Sequence, residues 1–228
     1  MKKVILFGIN EVASLNYHYL THDSEFQVAA FTVDKDFIKE DSLHGLPILP
    51  FDSIESICPP SEFEMALPLG FRNVNKFRME KCKQAKSKGY ELISYISSKA
   101  LTWKGLRTGE NCFMYENSIV GPFAQIGNNV ILGPGSHIGH HSEIGDHCFF
   151  GSHAVVLGGV KVGPFCVLGG NSTVIDRVTV GAECIIAAGV TITKDTVEKG
   201  VYINRPAELM SKNSTALSAL LTWPVRKL

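Results

Sequence analysis

The sequence has no excess of charge: 22 Lys and Arg stand against 22 Asp and Glu, a formal net charge of zero. With no global field to gather a polyanion, the composition argues against nucleic acid or an anionic membrane surface as a partner. No apolar run approaches the roughly 20 residues of a membrane helix, so no membrane insertion is expected. Met1-Lys2-Lys3 leads into VILFG, an apolar stretch too short for a secretion signal and lacking a small-residue cleavage site, so a soluble, cytoplasmic protein is the expectation. None of the six cysteines, Cys58, Cys82, Cys112, Cys148, Cys166 and Cys184, forms a C-x-x-C pair of the kind used for zinc or redox work. Small buried thiols in a reducing compartment are expected instead. The first loop, Gly8-Ile9-Asn10, has one glycine where G-x-G-x-x-G needs three, which disfavours NAD.

What is present changes character near residue 100. Residues 2–97 alternate strand-like and helix-like stretches: KVILF, EVASLNYHYL, FQVAAFTV, LPIL, FEMALPL, NVNKFRMEKCKQAKSK and ELISYI. That alternation implies a parallel α/β sheet. Ligands of such sheets sit beyond the carboxyl ends of the strands, which puts forward Gly8, Asn10, Asp34, Asp36, Gly70 and Arg72 as nucleotide contacts. Asn10 also suits a helix N-cap, and Asp34 and Asp36 also suit ordinary turns. Between Asn73 and Lys88, Lys76, Arg78, Lys81, Lys83, Lys86 and Lys88 face only Glu80, which reads as a solvated helix face, with Val74, Phe77, Cys82 and Ala85 turned inward.

The second half repeats every six residues. Val120, Ile126, Leu132, Ile138, Ile144, Phe150, Val156, Val162, Leu168, Val174, Val180, Ile186 and Ile192 hold one phase, and four residues after each stands a small or β-branched residue. One bulky and one small inward position per hexapeptide suit a narrow prism with flat walls and tight corners. Three walls make an 18-residue coil, so residues 18 apart stack at about 4.8 Å. Cys148, Cys166 and Cys184 then form one interior column that needs no disulfide.

Five histidines, from His137 to His153, lie mid-rod. His141, His147 and His153 hold the same phase of successive hexapeptides and so point from three different faces; two coils above His137, His140 and His141 come Thr173, Asp176 and Arg177. No metal site is expected.

The [LIV]-G-x-x-[small]-x pattern resembles the left-handed parallel β-helix of hexapeptide-repeat acyltransferases. The resemblance implies the handedness, a homotrimer and acetyl-CoA as cofactor. Acyl transfer needs a base and donors for a developing oxyanion, and neutral imidazole is the natural base near pH 7. One coil above His140 lies Gly158, followed by Gly159, whose backbone a ligand can approach closely. The stretch His140-His141-Ser142-Glu143-Ile144-Gly145-Asp146 is similar to the H-D-S-x-I-G-D segment of nucleotide-sugar N-acetyltransferases and sialic-acid O-acetyltransferase relatives. That alignment puts the general base on His140 and the thioester-contacting amide on Gly158. His141 replaces the usual acidic residue, leaving Glu143 and Asp146 as candidates to orient the base. The usual second histidine is Phe149, with His153 or His147 as substitutes. The element Gly45–Leu49, the bridge Gly89–Ala100 and the ending Val201–Ala207 also match these relatives.

The expected architecture is an α/β Rossmann-like nucleotide-sugar domain over residues 1–100, an all-β left-handed parallel β-helix over 101–207 and a tail over 208–228. In the tail, Leu217, Leu220, Leu221 and Trp223 would seal the rod or pack on a neighbouring subunit. Gly158, Gly159, Gly170, Ala188 and Gly189 are the expected cofactor contacts, and His153 joins the expected substrate contacts. The implied activity is acetyl-CoA-dependent N-acetylation of a nucleotide-linked amino sugar, a 4-amino-4,6-dideoxyhexose for surface glycans. O-acetylation of a sialic-acid-like or capsular sugar is the alternative enzyme reading, and a non-catalytic trimeric scaffold is the third.

Overall fold

In the first half, apolar strands KKVILF and FQVAAFTV form the centre of a five-stranded sheet. β1 (Lys2–Phe7) is followed by α1 (Glu11–His22), β2 (Phe26–Val33), β3 (Ser42–Leu43), β4 (Leu46–Pro50), α2 (Ile54–Ile57), β5 (Phe63–Ala66) and α3 (Lys76–Ser87). The sheet order is β3-β4-β2-β1-β5, parallel except for the β3–β4 hairpin, as the strand–helix alternation predicts. This computed structural model describes residues 2–205, 207–209, 211 and 214–215. The four apolar tail residues Leu217, Leu220, Leu221 and Trp223 lie outside the described residues. Among the described residues no helix is long and apolar enough to cross a membrane.

The ELISYI segment serves both halves: Leu92 bridges Met65 in the α/β sheet, while β6 (Tyr95–Ile96) pairs with Phe113–Met114 of the coil. From there the hexapeptides wind into three walls. The first contains Gln125–Ile126, Glu143–Ile144 and Lys161–Val162; the second contains Ile131–Leu132, Phe149–Phe150 and Val167–Leu168; the third contains His137–Ile138, Val155–Val156 and Thr173–Val174. Successive rungs pair 18 residues apart, as in Glu143 with Lys161 and His137 with Val155.

The interior explains the small position of the repeat. Ser142 Oγ donates to Leu157 O at 2.9 Å, and the thiols of Cys148 and Cys166 donate to Gly163 O and Gly181 O. A Ser or Cys at this site therefore satisfies an inward carbonyl that a purely apolar side chain leaves unpaired. All six cysteines are buried and free.

The α/β domain lies on the second wall, where Tyr95, Phe113, Tyr115 and Ile131 share one core with Val4, Leu6 and Phe31. The basic face of α3 departs from the solvated face read from sequence. Arg78 is fully buried. Its guanidinium donates to Asn129 Oδ1, to the carbonyls of Leu69 and Gly70, and to those of Asn129, His147 and Cys148. Burial pushes its pKa down to about 10, still well above neutrality. Lys81 is likewise buried, ion-paired to Asp34 at 2.6 Å and surrounded by the rings of Phe7, Phe51 and Phe77. Before α3, Asn73, Val74 and Asn75 take left-handed φ values of 51°, 48° and 62°. This turn brings the Asn75 side-chain amide onto Phe165 O and Cys166 O.

Candidate active site

The vertex between the third and first walls carries the chemistry-bearing column. His137–Ile138 ends one strand, Gly139 to Ser142 turn the corner and Glu143–Ile144 begins the next. Gly139 must lack a Cβ, which would lie 2.5 Å from Leu157 C in the coil above. His141 takes φ +57°, the corner conformation also held by Phe123 below it and by Gly159 and Arg177 above it. Ser142 points inward, so His140 and His141 are left exposed on the outer side. With Gly158, Gly159, Asp176 and Arg177 they line one cleft.

His140 stands directly against Gly158. A Cβ built there would fall 2.6 Å from His140 Cε1 and 2.7 Å from Nε2, so only glycine leaves room for the ring. The Gly158 N–H, assigned by alignment to a thioester oxygen, is not free: it donates to Asp176 Oδ1 at 3.0 Å. The same corner cap recurs where Asp146 Oδ1 accepts from Asn128 N at 2.7 Å. Gly159 N–H is also engaged, by His140 O at 2.8 Å. The oxyanion-donor role of Gly158 thus needs Asp176 to let go first.

Two expected orienting groups lie elsewhere. Glu143 is exposed on the first wall facing Lys161 at 3.6 Å, and Asp146 caps Asn128 at the next vertex. Both stand past the corner and do not line the cleft that His140 and His141 share. The group that touches His140 is His141, Nδ1 to Nδ1 at 3.0 Å. The histidines His147 and His153 are not brought to it. His147 sits between the first and second walls with Nδ1 on Asn129 Nδ2 at 2.9 Å, and burial lowers its pKa. His153 stands over Gly135 between the second and third walls. Gly170, Ala188 and Gly189 share that vertex with His153, so the expected cofactor contacts divide between the two edges of the third wall.

Asp176 and Arg177 were missed as cleft residues, although the 18-residue period that joins 140 to 158 continues to 176. They entered the sequence reading only as non-ligands for zinc. Among the described residues no group of three or more His, Cys, Asp or Glu could hold a metal ion.

In the α/β domain, β1 pairs in parallel with β2 and β5, so their carboxyl ends lie along one edge of the sheet. Gly8 turns at φ +118° with its N–H on Thr32 O at 2.8 Å. Asn10 Oδ1 accepts from Ala13 N at 3.1 Å, the N-cap geometry of α1. Asp34 is held by Lys81; Asp36 is exposed; Gly70 O accepts from Arg78; and Arg72 lies over the Phe77 ring at 5.0 Å. These residues belong to a domain seated on the second wall, across the prism from the vertex that bears His140.

The family model described as bacterial transferase hexapeptide (six repeats) matches residues 107–140, 123–158 and 159–194, and the hexapeptide repeat of succinyl-transferase matches 143–174. No curated protein sequence matches the chain. Among solved structures, a histidine-to-asparagine mutant of perosamine N-acetyltransferase from Caulobacter crescentus, in complex with CoA and GDP-perosamine, is 23% identical with a TM-score of 0.80, over 93% of this chain and 98% of that one. WeeI from Acinetobacter baumannii is 16% identical with a TM-score of 0.76, over 92% and 100% of the two chains. The acetyltransferase domain of PglB from Neisseria gonorrhoeae, in complex with acetyl coenzyme A, is 18% identical with a TM-score of 0.74, over 85% and 92%. At these identities the likeness is one of fold, and it extends through the α/β domain. Residues 107–194 of this chain match bacterial-transferase hexapeptide repeats, and the fold they wind into is the left-handed β-helix.

Proposed function

We propose that the protein is a cytoplasmic acetyl-CoA-dependent N-acetyltransferase acting on the amine of a nucleotide-linked 4-amino-4,6-dideoxyhexose. The observation that carries this reading is the imidazole of His140, exposed in a cleft and seated on a glycine that a Cβ would fill. The missing side chain at 158 makes the space that the imidazole itself occupies, and Gly159, Gly170, Ala188 and Gly189 keep the two edges of the wall shallow enough for a slender pantetheine arm. When bound, acetyl-CoA supplies an activated acyl carbonyl. His140 Nε2 takes the proton that the amine loses as its new N–C bond forms, and returns it to the CoA sulfur that departs as the acyl C–S bond breaks. Asp176, exposed in the same cleft, offers a carboxylate to the arriving ammonium, and in turning to it frees the Gly158 N–H for an acyl oxygen.

A nucleotide held at the strand ends of one chain is across the prism from that chain's own His140. On this reading the site is completed between copies, in a homotrimer. The solved relatives include one holding both CoA and GDP-perosamine, which favours this substrate class. The test is acetyl transfer from acetyl-CoA to GDP-, UDP- and dTDP-linked 4-amino sugars, with free sialic acids as hydroxyl acceptors. Turnover on a 4-amino sugar nucleotide is expected; turnover only on sialic acids would overturn it in favour of O-acetylation.

A further inference from the structure

Two neutral imidazoles whose Nδ1 atoms lie 3.0 Å apart must share one proton, because a nitrogen with a lone pair accepts only from a nitrogen that carries a hydrogen. Two arrangements satisfy that contact. If His141 donates, His140 keeps its proton on Nε2, the nitrogen beside Gly158, and has no lone pair to offer the cleft. If His140 donates, its Nε2 is bare and faces the space over Gly158. Only the second arrangement also serves the protonated state, since an imidazolium at 140 needs an acceptor for its Nδ1–H.

We propose that His141 is the positioning residue for His140, accepting its Nδ1–H and so fixing the tautomer whose Nε2 can take a proton from substrate. This rests on the base role proposed above. The surroundings hold His141 in place for it. Its ring packs on Phe123 from the coil below at 4.7 Å between centroids, and it meets His140 nearly edge-on, with planes at 86°. Its left-handed backbone turns both side chains to the same side of the corner. Charges facing the pair come from the coils above, the Asp176 carboxylate and the Arg177 guanidinium; Pro122 and Phe123 below carry none.

An imidazole acceptor differs from a carboxylate in one testable way: it supports the imidazolium without a negative charge. H141D adds that charge, which favours protonated His140 and should move the acid limb of the kcat/KM profile upward by about one pH unit. H141N keeps an oxygen acceptor and tolerates left-handed φ, so it should recover roughly tenfold in kcat over H141A, with KM for either substrate little changed. Equal kcat in H141N and H141A, or an acid limb unmoved in H141D, would overturn the proposal. Independently of turnover, 15N–1H correlation spectra of the ring nitrogens near pH 8 should find His140 protonated at Nδ1 and bare at Nε2. The opposite tautomer would refute the positioning role. If the wild type acetylates no amino sugar yet shows the expected tautomer, the pair stands and the substrate reading falls.

Discussion

His140 and Gly158, 18 residues apart in sequence, occupy one another's space: the imidazole fills the volume that any side chain at 158 would need. The contact is with the far end of a rotatable side chain, so G158A is expected to fold with a stability change under about 1 kcal/mol while the ring swings aside. A displacement of the base by about 1 Å costs on the order of 10²-fold in turnover. Thermal melts with and without CoA, set beside kcat, check the split; loss of both together would make Gly158 structural.

Arg78 ties the loop that holds Gly70 and Arg72 to the coil corners at Asn129 and His147, with no carboxylate partner among the described residues. Lysine cannot reproduce the planar fork, so R78K leaves buried carbonyls unpaired and should lose about 3 kcal/mol in denaturant unfolding. KM for the nucleotide sugar should rise more than KM for acetyl-CoA. Equal rises would detach the loop from nucleotide recognition.

His147 is held neutral, chiefly by burial and further by Arg78 and Lys83, against the opposing pull of Asp146. Its folded pKa lies below that of the unfolded chain, so the unfolded state binds more protons as pH falls through about 6.5. The stability it protects is complete above that pH and is lost below it. Between pH 7.5 and 5.5, wild-type Tm should therefore fall more than that of H147N, which keeps a corner-compatible residue without the titration. Parallel curves would contradict this.

If the site is built between copies, two inactive chains can repair each other. Co-expression of H140N with D36A/R72A, both changed at exposed positions of the α/β domain, should yield mixed oligomers with measurable turnover. Homogeneous preparations of either should have little. No recovery in mixtures shown by mass to contain both chains would place the whole site in one chain.

The period of six made the prism, its interior column and the stacking of 158 on 140 readable from residue numbers alone, because hydrogen bonding between coils enforces that arithmetic. The Asn10 cap was readable for the same local reason. Arg78 and Lys81 were not, since their carbonyl socket and acidic partner come from residues distant in sequence, and a basic helix carries no mark of which cation is buried. Glu143 and Asp146 misled by closeness in sequence, which a turning corner does not preserve. Asp176 lay in the register two coils above His140 and went unused, because that level was weighed only for metal ligands.

The central claim is that His140 takes the proton from the attacking amine. Steady-state kcat of H140N with acetyl-CoA and the preferred amino sugar nucleotide tests it most directly. A fall of 10²- to 10⁴-fold with CoA binding intact is expected; turnover near that of the wild type would contradict the account.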